Sequence, residues 1–562
     1  MRTSRIWVVG LSVVALLMAG AGSALAATDS LVTVGSPSAP FPQNKQNEPA
    51  VTVDPIDPSL AVAGANEEID NAPCSGSDCS FTPGIGDSGV YFSFDGGGSW
   101  SQPTYRGLSA RLGTPVQGGP IGTVPNYFEQ GLVSDGDPTL AFGPRPDSRG
   151  HFSWVNGARL YYGDLTSNLN AKRSESFRGA EAVAVSYTDD PARAAAGTNS
   201  AWSSPVVVTK QNSALFSDKP NIWADNASSS PFFGNLYECN IAFRSNHGTP
   251  EPVVFSRSTD GGRTFSKSAQ LTAAAGNAQQ IGRQGCVIRT DSHGTVYVFF
   301  EGAVNKQSAQ EMTRSFDGGK TFERPRAVAK VVDVGVFDPV QADVVFDGVT
   351  GARTDSFPSV DIANGAPTGT DATNLIALTW SDASAGLNHE QALVQLSGDG
   401  GSSWTAPVNA AQTGDRPDFP AVAVSPDGSD VYVVYDGFTT AFQNDNADAR
   451  QFAGVVRHAT VTGTQLGAFT TLHQAPPPPG DARASSANDL TTGFLGDYNY
   501  AAATNSSVTA VWNDARNAAD CPAIDAFRDS ELTSSPLPKP APLTDCPATF
   551  GNTDIYGGNY TG

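Results

Sequence analysis

One short pattern occurs four times in this 562-residue chain and constrains the fold more than any other feature. The copies have the form S-x-D-x-G-x-x-[W/F] and begin at Ser93, Ser258, Ser315 and Ser397. The aspartate can accept hydrogen bonds from nearby backbone N–H groups, glycine supplies a positive φ, and the aromatic residue can anchor the segment. The pattern therefore predicts a repeated β-hairpin turn. We expect a structural role in these turns for Asp95, Asp260, Asp317 and Asp399.

A second pattern, consisting of an apolar strand, a polar turn and another apolar strand, recurs seven times. These openings begin at Glu48, Asp137, Lys219, Gly285, Phe357, Phe419 and Tyr498. Repeated hairpin units of this kind predict an all-β fold, a single β-propeller domain over residues 27–562 with seven four-stranded blades; six blades are the alternative. The strand-like segment Ser30 to Val34 could complete the last blade and close the ring, which would remove exposed sheet edges.

The first 26 residues have the features of a signal peptide. Arg2 and Arg5 precede an apolar run, and Ala24-Leu25-Ala26 is a small-x-small cleavage site. We therefore expect a secreted, extracellular protein without a membrane span after cleavage, whose mature chain begins at Ala27.

The charge of the chain limits the classes of partner that we expect it to bind. The formal net charge is −22, and an acidic surface repels phosphate backbones, so nucleic acid is not an expected partner. Such a surface could attract Ca²⁺, or its only role could be to keep the protein soluble. We expect a monomer that requires no cofactor, although Ca²⁺ is possible and the metal content stays open.

The six cysteines are expected to form disulfides in an oxidising compartment. They fall along the chain as three neighbouring pairs: Cys74 and Cys79, Cys239 and Cys286, and Cys521 and Cys546. Sequence order alone leaves the pairing open. In the predicted strand register, a bond between Cys239 and Cys286 would join adjacent blades.

Long segments are predicted to crowd the face opposite the repeated turns. They span 66–89, 105–136, 332–356, 474–497 and 513–553, and the last contains a Pro-rich, Cys-bracketed insertion at 517–548. Functional residues often lie in loops on a rigid scaffold, so this face is the candidate functional face. The alternative is that surface loops simply tolerate insertion.

Charged residues are predicted near the strand ends of that face. The candidate binding residues are Arg244, Arg283, Arg416, Arg516, Glu48 and Asp382. In one interpretation, the arginines bind a carboxylate or sulfate while a carboxylate acts as acid or base. In the other, acids and arginines neutralise one another, or the acids hold Ca²⁺.

The four repeated turns resemble Asp-boxes, also called BNR repeats, of the sialidase-like β-propeller superfamily. The resemblance implies a glycoside hydrolase of the exo-α-sialidase kind, with three arginines on the substrate carboxylate, an Asp acid, and a Tyr nucleophile paired with a Glu. The catalytic candidates it suggests are Tyr498, Glu238 and Asp137. Asn47-Glu48-Pro49 stands where the family has its first arginine, so that arginine is not found. The expected partner is an extracellular glycan or a surface protein, and the alternative function is non-catalytic binding.

Overall fold

The computed structural model describes residues 28–36, 44–72, 82–111, 113, 116–169, 181–209, 215–244, 252–272, 284–533 and 535–562. The predicted signal peptide, Cys74, Cys79 and Arg283 lie outside these residues. The described chain folds into seven antiparallel sheets, the blades of a propeller. The prediction of an all-β, seven-bladed architecture is therefore confirmed.

The first half of the chain supplies β1 (Ser30–Leu31) and then blades 1 to 3. Blade 1 contains β2 (Gln46–Asp54), β3 (Asp57–Glu67) and β4 (Ser88–Ser93). A hairpin follows, formed by β5 (Tyr105–Ser109) and β6 (Gln117–Ile121). Blade 2 contains β7 (Leu132–Ser134), β8 (Thr139–Pro146), β9 (Phe152–Asn168), β10 (Ala182–Thr188) and β11 (Val206–Val207), with helix α1 (Pro191–Ala195) before β11. Blade 3 contains β12 (Leu215–Ala224), β13 (Leu236–Arg244), β14 (Val253–Ser258) and β15 (Ala269–Gln270).

The second half supplies blades 4 to 7. Blade 4 contains β16 (Gln284–Thr290), β17 (Val296–Val304), β18 (Gln307–Ser315) and β19 (Arg326–Lys330). A hairpin of β20 (Val336–Asp338) and β21 (Asp343–Val345) precedes blade 5, which contains β22 (Ser359–Ile362), β23 (Ile376–Asp382), β24 (Gln391–Ser397) and β25 (Val408–Asn409). Blade 6 contains β26 (Arg416–Val424), β27 (Asp430–Phe438), β28 (Gln451–Thr462), β29 (Gln465–Leu466), β30 (Thr470–Gln474) and β31 (Gly480–Asp481). Blade 7 contains β32 (Tyr500–Ala503), β33 (Ser507–Asp514) and β34 (Asp554–Thr561), with helices α2 (Pro522–Glu531) and α3 (Pro542–Asp545) between β33 and β34.

The inner strands form a closed ring. Contacts run from β2 to β8, β12, β16, β22, β26 and β32, and from β32 back to β2. The N-terminal strand β1 pairs with β34, where Ser30 is opposite Gly557 and Leu31 is opposite Tyr556. Blade 7 thus takes its outer strand from the start of the chain, as predicted, and this covers the edge of β34.

The four predicted turns share one hydrogen-bond pattern. In the turn after β18, the backbone N–H of Thr321 donates to Asp317 Oδ1 at 2.9 Å and the Thr321 hydroxyl donates to Oδ2 at 2.7 Å. Equivalent backbone bonds reach Asp95, Asp260 and Asp399 at 2.9, 3.0 and 2.8 Å. These aspartates are thus engaged within their own turns.

The same turns join neighbouring blades. An arginine from the preceding blade donates to a glycine carbonyl of the turn, at 2.9 Å from Arg257 to Gly318 and at 2.6 Å from Arg314 to Gly400. Each of these hydrogen bonds to a partly buried carbonyl ties one blade to the turn of the next.

Apolar side chains fill the space between blades. In β13, Ile241 and Phe243 lie on one face, because strand residues two apart share a face, and they pack against Ile288 and Val298 of blade 4. The predicted disulfide between Cys239 and Cys286 is confirmed in the same interface, with a Cα–Cα distance of 6.3 Å. It joins blades 3 and 4.

The Pro-rich insertion in blade 7 carries the second confirmed disulfide, Cys521–Cys546, with a Cα–Cα distance of 5.0 Å. Arg528 of α2 is fully buried and donates to the carbonyls of Thr491, Arg483 and Ser485, which anchors the insertion to the chain entering blade 7. Among the described residues, the helices are too short or too polar to cross a membrane.

Candidate functional site

A repeated irregularity at the entrance to the inner strands positions the candidate site. The pairing of β2 with β3, β12 with β13, β16 with β17, and β26 with β27 shifts register just after the strand begins. At three of these shifts the backbone φ is positive, 55° at Glu48, 52° at Lys219 and 49° at Phe419, the left-handed region that few non-glycine residues adopt. Asp137, just before β8, has a similar φ of 51°. Such β-bulges redirect side chains and are common next to functional sites.

These positions are the first residues of the seven sequence openings, and the ring arrangement of the inner strands brings them to one end of the propeller axis. Around the ring they supply two acids, a lysine, a glycine and three aromatic residues: Glu48, Asp137, Lys219, Gly285, Phe357, Phe419 and Tyr498. A cavity of about 80 Å³ lies along the axis there, lined by residues of blades 2 to 7 that include Lys219, Asp355, Phe357, Asp497 and Tyr498. We call this end the channel mouth.

Lys219 lies at the centre of the channel mouth and is 8 % exposed. Its Nζ is 2.8 Å from Asp497 Oδ2 and 3.6 Å from Glu48 Oε1. The same Nζ lies 4.2 Å from the centre of the Tyr498 ring, a cation–π contact. Burial lowers the pKa of Lys219, but the carboxylates of Asp497 and Glu48 outweigh it and raise that pKa above its ordinary value. Lys219 is therefore a permanent cation.

Asp497 is clamped by a second cation. The Arg353 guanidinium donates from Nε and Nη2 to the two carboxylate oxygens, at 2.9 and 2.7 Å, a bidentate pair. Burial opposes ionisation, yet the charges of Arg353 and Lys219 hold the pKa of Asp497 far below its usual range. Arg353 comes from the long segment that carries β20 and β21, and 38 % of its side chain is exposed.

The pKa values of Asp137 and Glu48 are shifted in the opposite direction, upward. Their carboxyl groups are within hydrogen-bonding reach of each other, and both residues are buried. Burial and the charge of Glu48 raise the pKa of Asp137 well above its ordinary value. Burial also raises the pKa of Glu48, although Lys219 opposes the change. The mouth thus holds carboxyl groups whose pKa values are shifted in opposite directions, upward for Asp137 and Glu48 and downward for Asp497.

Tyr498 belongs to the same cluster. Burial and the negative charges of Asp137 and Glu48 raise its pKa well above 10.0, so its hydroxyl keeps its proton at neutral pH. The structure therefore brings together three residues selected from the sequence, namely Tyr498, Asp137 and Glu48.

Other candidates lie elsewhere. Glu238 is fully buried within β13, paired with Ile222 and Ser256, and burial raises its pKa to about 8. It does not line the channel mouth. Asp382 accepts hydrogen bonds from the backbone of Val332 and Ser384 and so holds its own loop.

The two arginine candidates whose side chains are described, Arg416 and Arg516, pair with acids away from the cluster at the mouth. Arg416 is buried and pairs with Glu390 at 2.9 Å and with Asp347 at 3.4 Å. Arg516 pairs with Asp514 at 2.6 Å and with Asp29 at 2.7 Å. Arg244 ends β13 and only its backbone is described, while Arg283 lies outside the described residues.

The two cations of the cluster, Lys219 and Arg353, were not among the sequence candidates. Lys219 occupies the same opening position as Glu48, Asp137 and Tyr498, so an alignment of the seven openings would have marked it. Arg353 carries no such signal, because it lies in an insertion without a counterpart in the other blades.

No group of three or more His, Cys, Asp or Glu side chains within the described part of the chain is arranged to hold a metal ion. The predicted possibility of Ca²⁺ therefore gains no candidate ligand set there.

Comparisons with known proteins found similar structures only. No protein-family model and no curated protein matches the sequence. A Hadza microbial sialidase matches 70 % of this chain and 63 % of its own, with 12 % identity and a TM-score of 0.38. A protein of unknown function from Dyadobacter fermentans matches 75 % of this chain and 93 % of its own, with 12 % identity and a TM-score of 0.36.

A Trypanosoma rangeli sialidase, solved with the inhibitor DANA, matches 75 % of this chain and 55 % of its own, with 12 % identity and a TM-score of 0.39. The match thus spans less than two thirds of the length of either sialidase. On its own strand topology and turn geometry, the chain is a seven-bladed β-propeller with Asp-box turns.

Proposed function

We propose that the protein is exported, binds an extracellular glycan at the channel mouth and hydrolyses a glycosidic bond there. The observation that carries the proposal is one buried cluster in which Lys219 Nζ lies 2.8 Å from Asp497 and 3.6 Å from Glu48, the carboxyl neighbour of Asp137, and in which the pKa of Asp137 is raised while that of Asp497 is lowered. Glycoside hydrolysis needs an acid that protonates the leaving oxygen and a negative group that stabilises the developing positive charge on the sugar.

In this proposal Asp137 donates its proton to the leaving glycosidic oxygen. Asp497, kept ionised by Arg353 and Lys219, stabilises the oxocarbenium-like transition state, and Tyr498 is the candidate nucleophile. Because the pKa of Tyr498 is raised, its hydroxyl needs a base, and Glu48 is the carboxyl group of the cluster that can take the proton. Attack by the Tyr498 oxygen forms a glycosyl-tyrosine bond as the glycosidic C–O bond breaks. Water then cleaves that bond, giving one proton to Asp137, while Glu48 returns its proton to the Tyr498 oxygen.

The test is a hydrolysis screen with the full chain on fluorogenic sialosides and neutral or amino glycosides. Asp137→Asn and Tyr498→Phe are each expected to lower kcat at least about 100-fold on the best substrate, the usual contribution of a positioned acid or base. The matched control is Asp225→Asn, a fully buried carboxyl group whose pKa is raised to about 7 at the opposite end of the same inner strand as Lys219. It should change kcat less than threefold. Equal loss in the control, or full activity in Asp137→Asn, would contradict the assignment.

The second candidate function is non-catalytic glycan binding. Its support is that both cations of the mouth, Lys219 and Arg353, pair with one carboxylate, Asp497. A network whose charges are neutralised in this way can hold the ends of the blades together without taking part in catalysis. Glycan binding without turnover on the whole panel would favour it over hydrolysis.

A further inference from the structure

A wide cleft adjoins the channel mouth between blade 4 and the insertion that carries Arg353. Its volume is about 850 Å³, within the range of organic ligand sites. Glu301, Asp333, Asp343 and Asp355 are among its lining residues. Asp355 also lines the axial cavity, so the cleft and the channel mouth share a wall.

Glu301 is the best-buried acid of this cleft, with 6 % exposure. Its Oε2 accepts no hydrogen bond from the described residues. The groups within hydrogen-bonding reach of its carboxyl are two further carboxyls, Asp355 and Asp333. When these carboxyl groups are ionised all of them are acceptors, so Glu301 Oε2 has no donor among them unless a proton or a ligand supplies one.

The positive side chains of the cleft do not supply a donor to Glu301. Lys306 and Lys330 line the cleft but are exposed, and no described lysine or arginine lies within 4.0 Å of the Glu301 carboxylate. Burial and the negative charges of Asp355 and Asp333 raise the pKa of Glu301 well above 4.5. The cleft therefore concentrates negative charge that a bound cation would relieve.

We propose that this cleft binds the ammonium group of an amino sugar, so that the glycan recognised at the channel mouth carries free primary amines. The proposal rests on glycan binding at the mouth and names the substrate class. A primary ammonium group has three N–H donors, which match three carboxyl groups, and charge-assisted hydrogen bonds of this kind are about twice as strong as neutral ones. The size of the cleft favours an organic cation with its sugar ring.

The test compares a glucosamine tetramer with its N-acetylated counterpart by calorimetry at pH 7 and low salt. Asp137→Asn is used as the background so that hydrolysis does not interfere. The amine form is expected to bind at least tenfold tighter, and the difference should shrink in high salt. Asp333→Asn, at an exposed position, should remove most of that difference. Asp371→Asn, on an exposed turn after β22, is the matched control and should leave it unchanged.

The pH dependence provides an independent readout. Burial raises the pKa of Asp355 to about 6, with Asp333 and Asp497 as further negative neighbours. Affinity for the amine form should therefore fall as the pH drops from 7 to 5, because protons replace the cation. Asp343, Lys306 and Lys330 complete the charged lining of the cleft.

Several results would overturn the proposal. They are equal binding of the acetylated tetramer, oligolysine binding as tight as the amino sugar, and displacement of the amino sugar by micromolar Ca²⁺. A failure of the proposed hydrolysis can be told apart from a failure of this proposal. If the protein does not turn over any substrate but still prefers the amine form, the assignment of the cleft is retained.

Discussion

Replacing Lys219 by methionine tests the electrostatics of the channel mouth directly. The substitution keeps an unbranched side chain one atom shorter but removes a cation that is 8 % exposed and lies 2.8 Å from Asp497 and 3.6 Å from Glu48. Removing one partner of a buried ion pair costs about 3–5 kcal/mol. Asp497 keeps its two bonds from Arg353, so we expect a loss near the lower end, about 3 kcal/mol in the free energy of unfolding.

The assay is urea unfolding followed by tryptophan fluorescence at pH 7 and pH 5. The deficit should narrow at pH 5, because Glu48, whose pKa burial already raises, can take up a proton in place of the lost cation. Lys330→Met, at an exposed position on β19, is the control and should change stability by less than about 0.5 kcal/mol.

The double variant Lys219→Met with Asp497→Asn separates charge from packing. It should be at least about 1 kcal/mol more stable than Lys219→Met alone, because coupled residues show interaction energies of this size. A Lys219→Met protein within 0.5 kcal/mol of wild type at pH 7, or a double variant no better than the single, would refute the reasoning.

Three further predictions concern the scaffold. Gly285→Ala would place a Cβ 2.4 Å from the Cβ of Phe357 in the next blade, so we expect a loss of about 2–3 kcal/mol in unfolding free energy, measured by urea unfolding. The double variant Cys239→Ala with Cys286→Ala removes a disulfide between residues that are 47 positions apart in the sequence. It should lose about 4 kcal/mol of unfolding free energy in the same assay. Asp317→Ala removes four turn hydrogen bonds and should lower the melting temperature through a loss of about 1–2 kcal/mol.

Each of these variants has a control. Gly414→Ala also has a positive φ, 98°, but its added Cβ meets no atom within 4 Å, so it should lose only about 1 kcal/mol. Equal losses at Gly285 and Gly414 would argue against the clash with Phe357. Reduced wild-type protein should lose at least as much stability as the double cysteine variant, because reduction also opens Cys521–Cys546. Asp371→Ala should leave the melting temperature unchanged.

Much of the scaffold could be predicted because its determinants are local. The hydrogen bonds of an Asp-box join residues two to four positions apart, as from Ser315 and Thr321 to Asp317, so the pattern is visible in any copy. The opening residues recur in seven segments, which marked Glu48, Asp137 and Tyr498 and supported seven blades. The predicted strand register placed Cys239 and Cys286 in adjacent blades, where a bond between them was possible, and the structure contains that bond.

The site itself depends on contacts between distant parts of the chain. The clamp on Asp497 joins residues 144 positions apart, and its second cation comes from blade 3. Protonation follows from such distances and from burial, because charge interactions act through space rather than along the sequence. The sequence alone therefore determined the repeated turns, the blades and three members of the channel mouth. Only the tertiary structure decided that Lys219 and Arg353 complete it and that Glu238 and Arg416 are buried elsewhere.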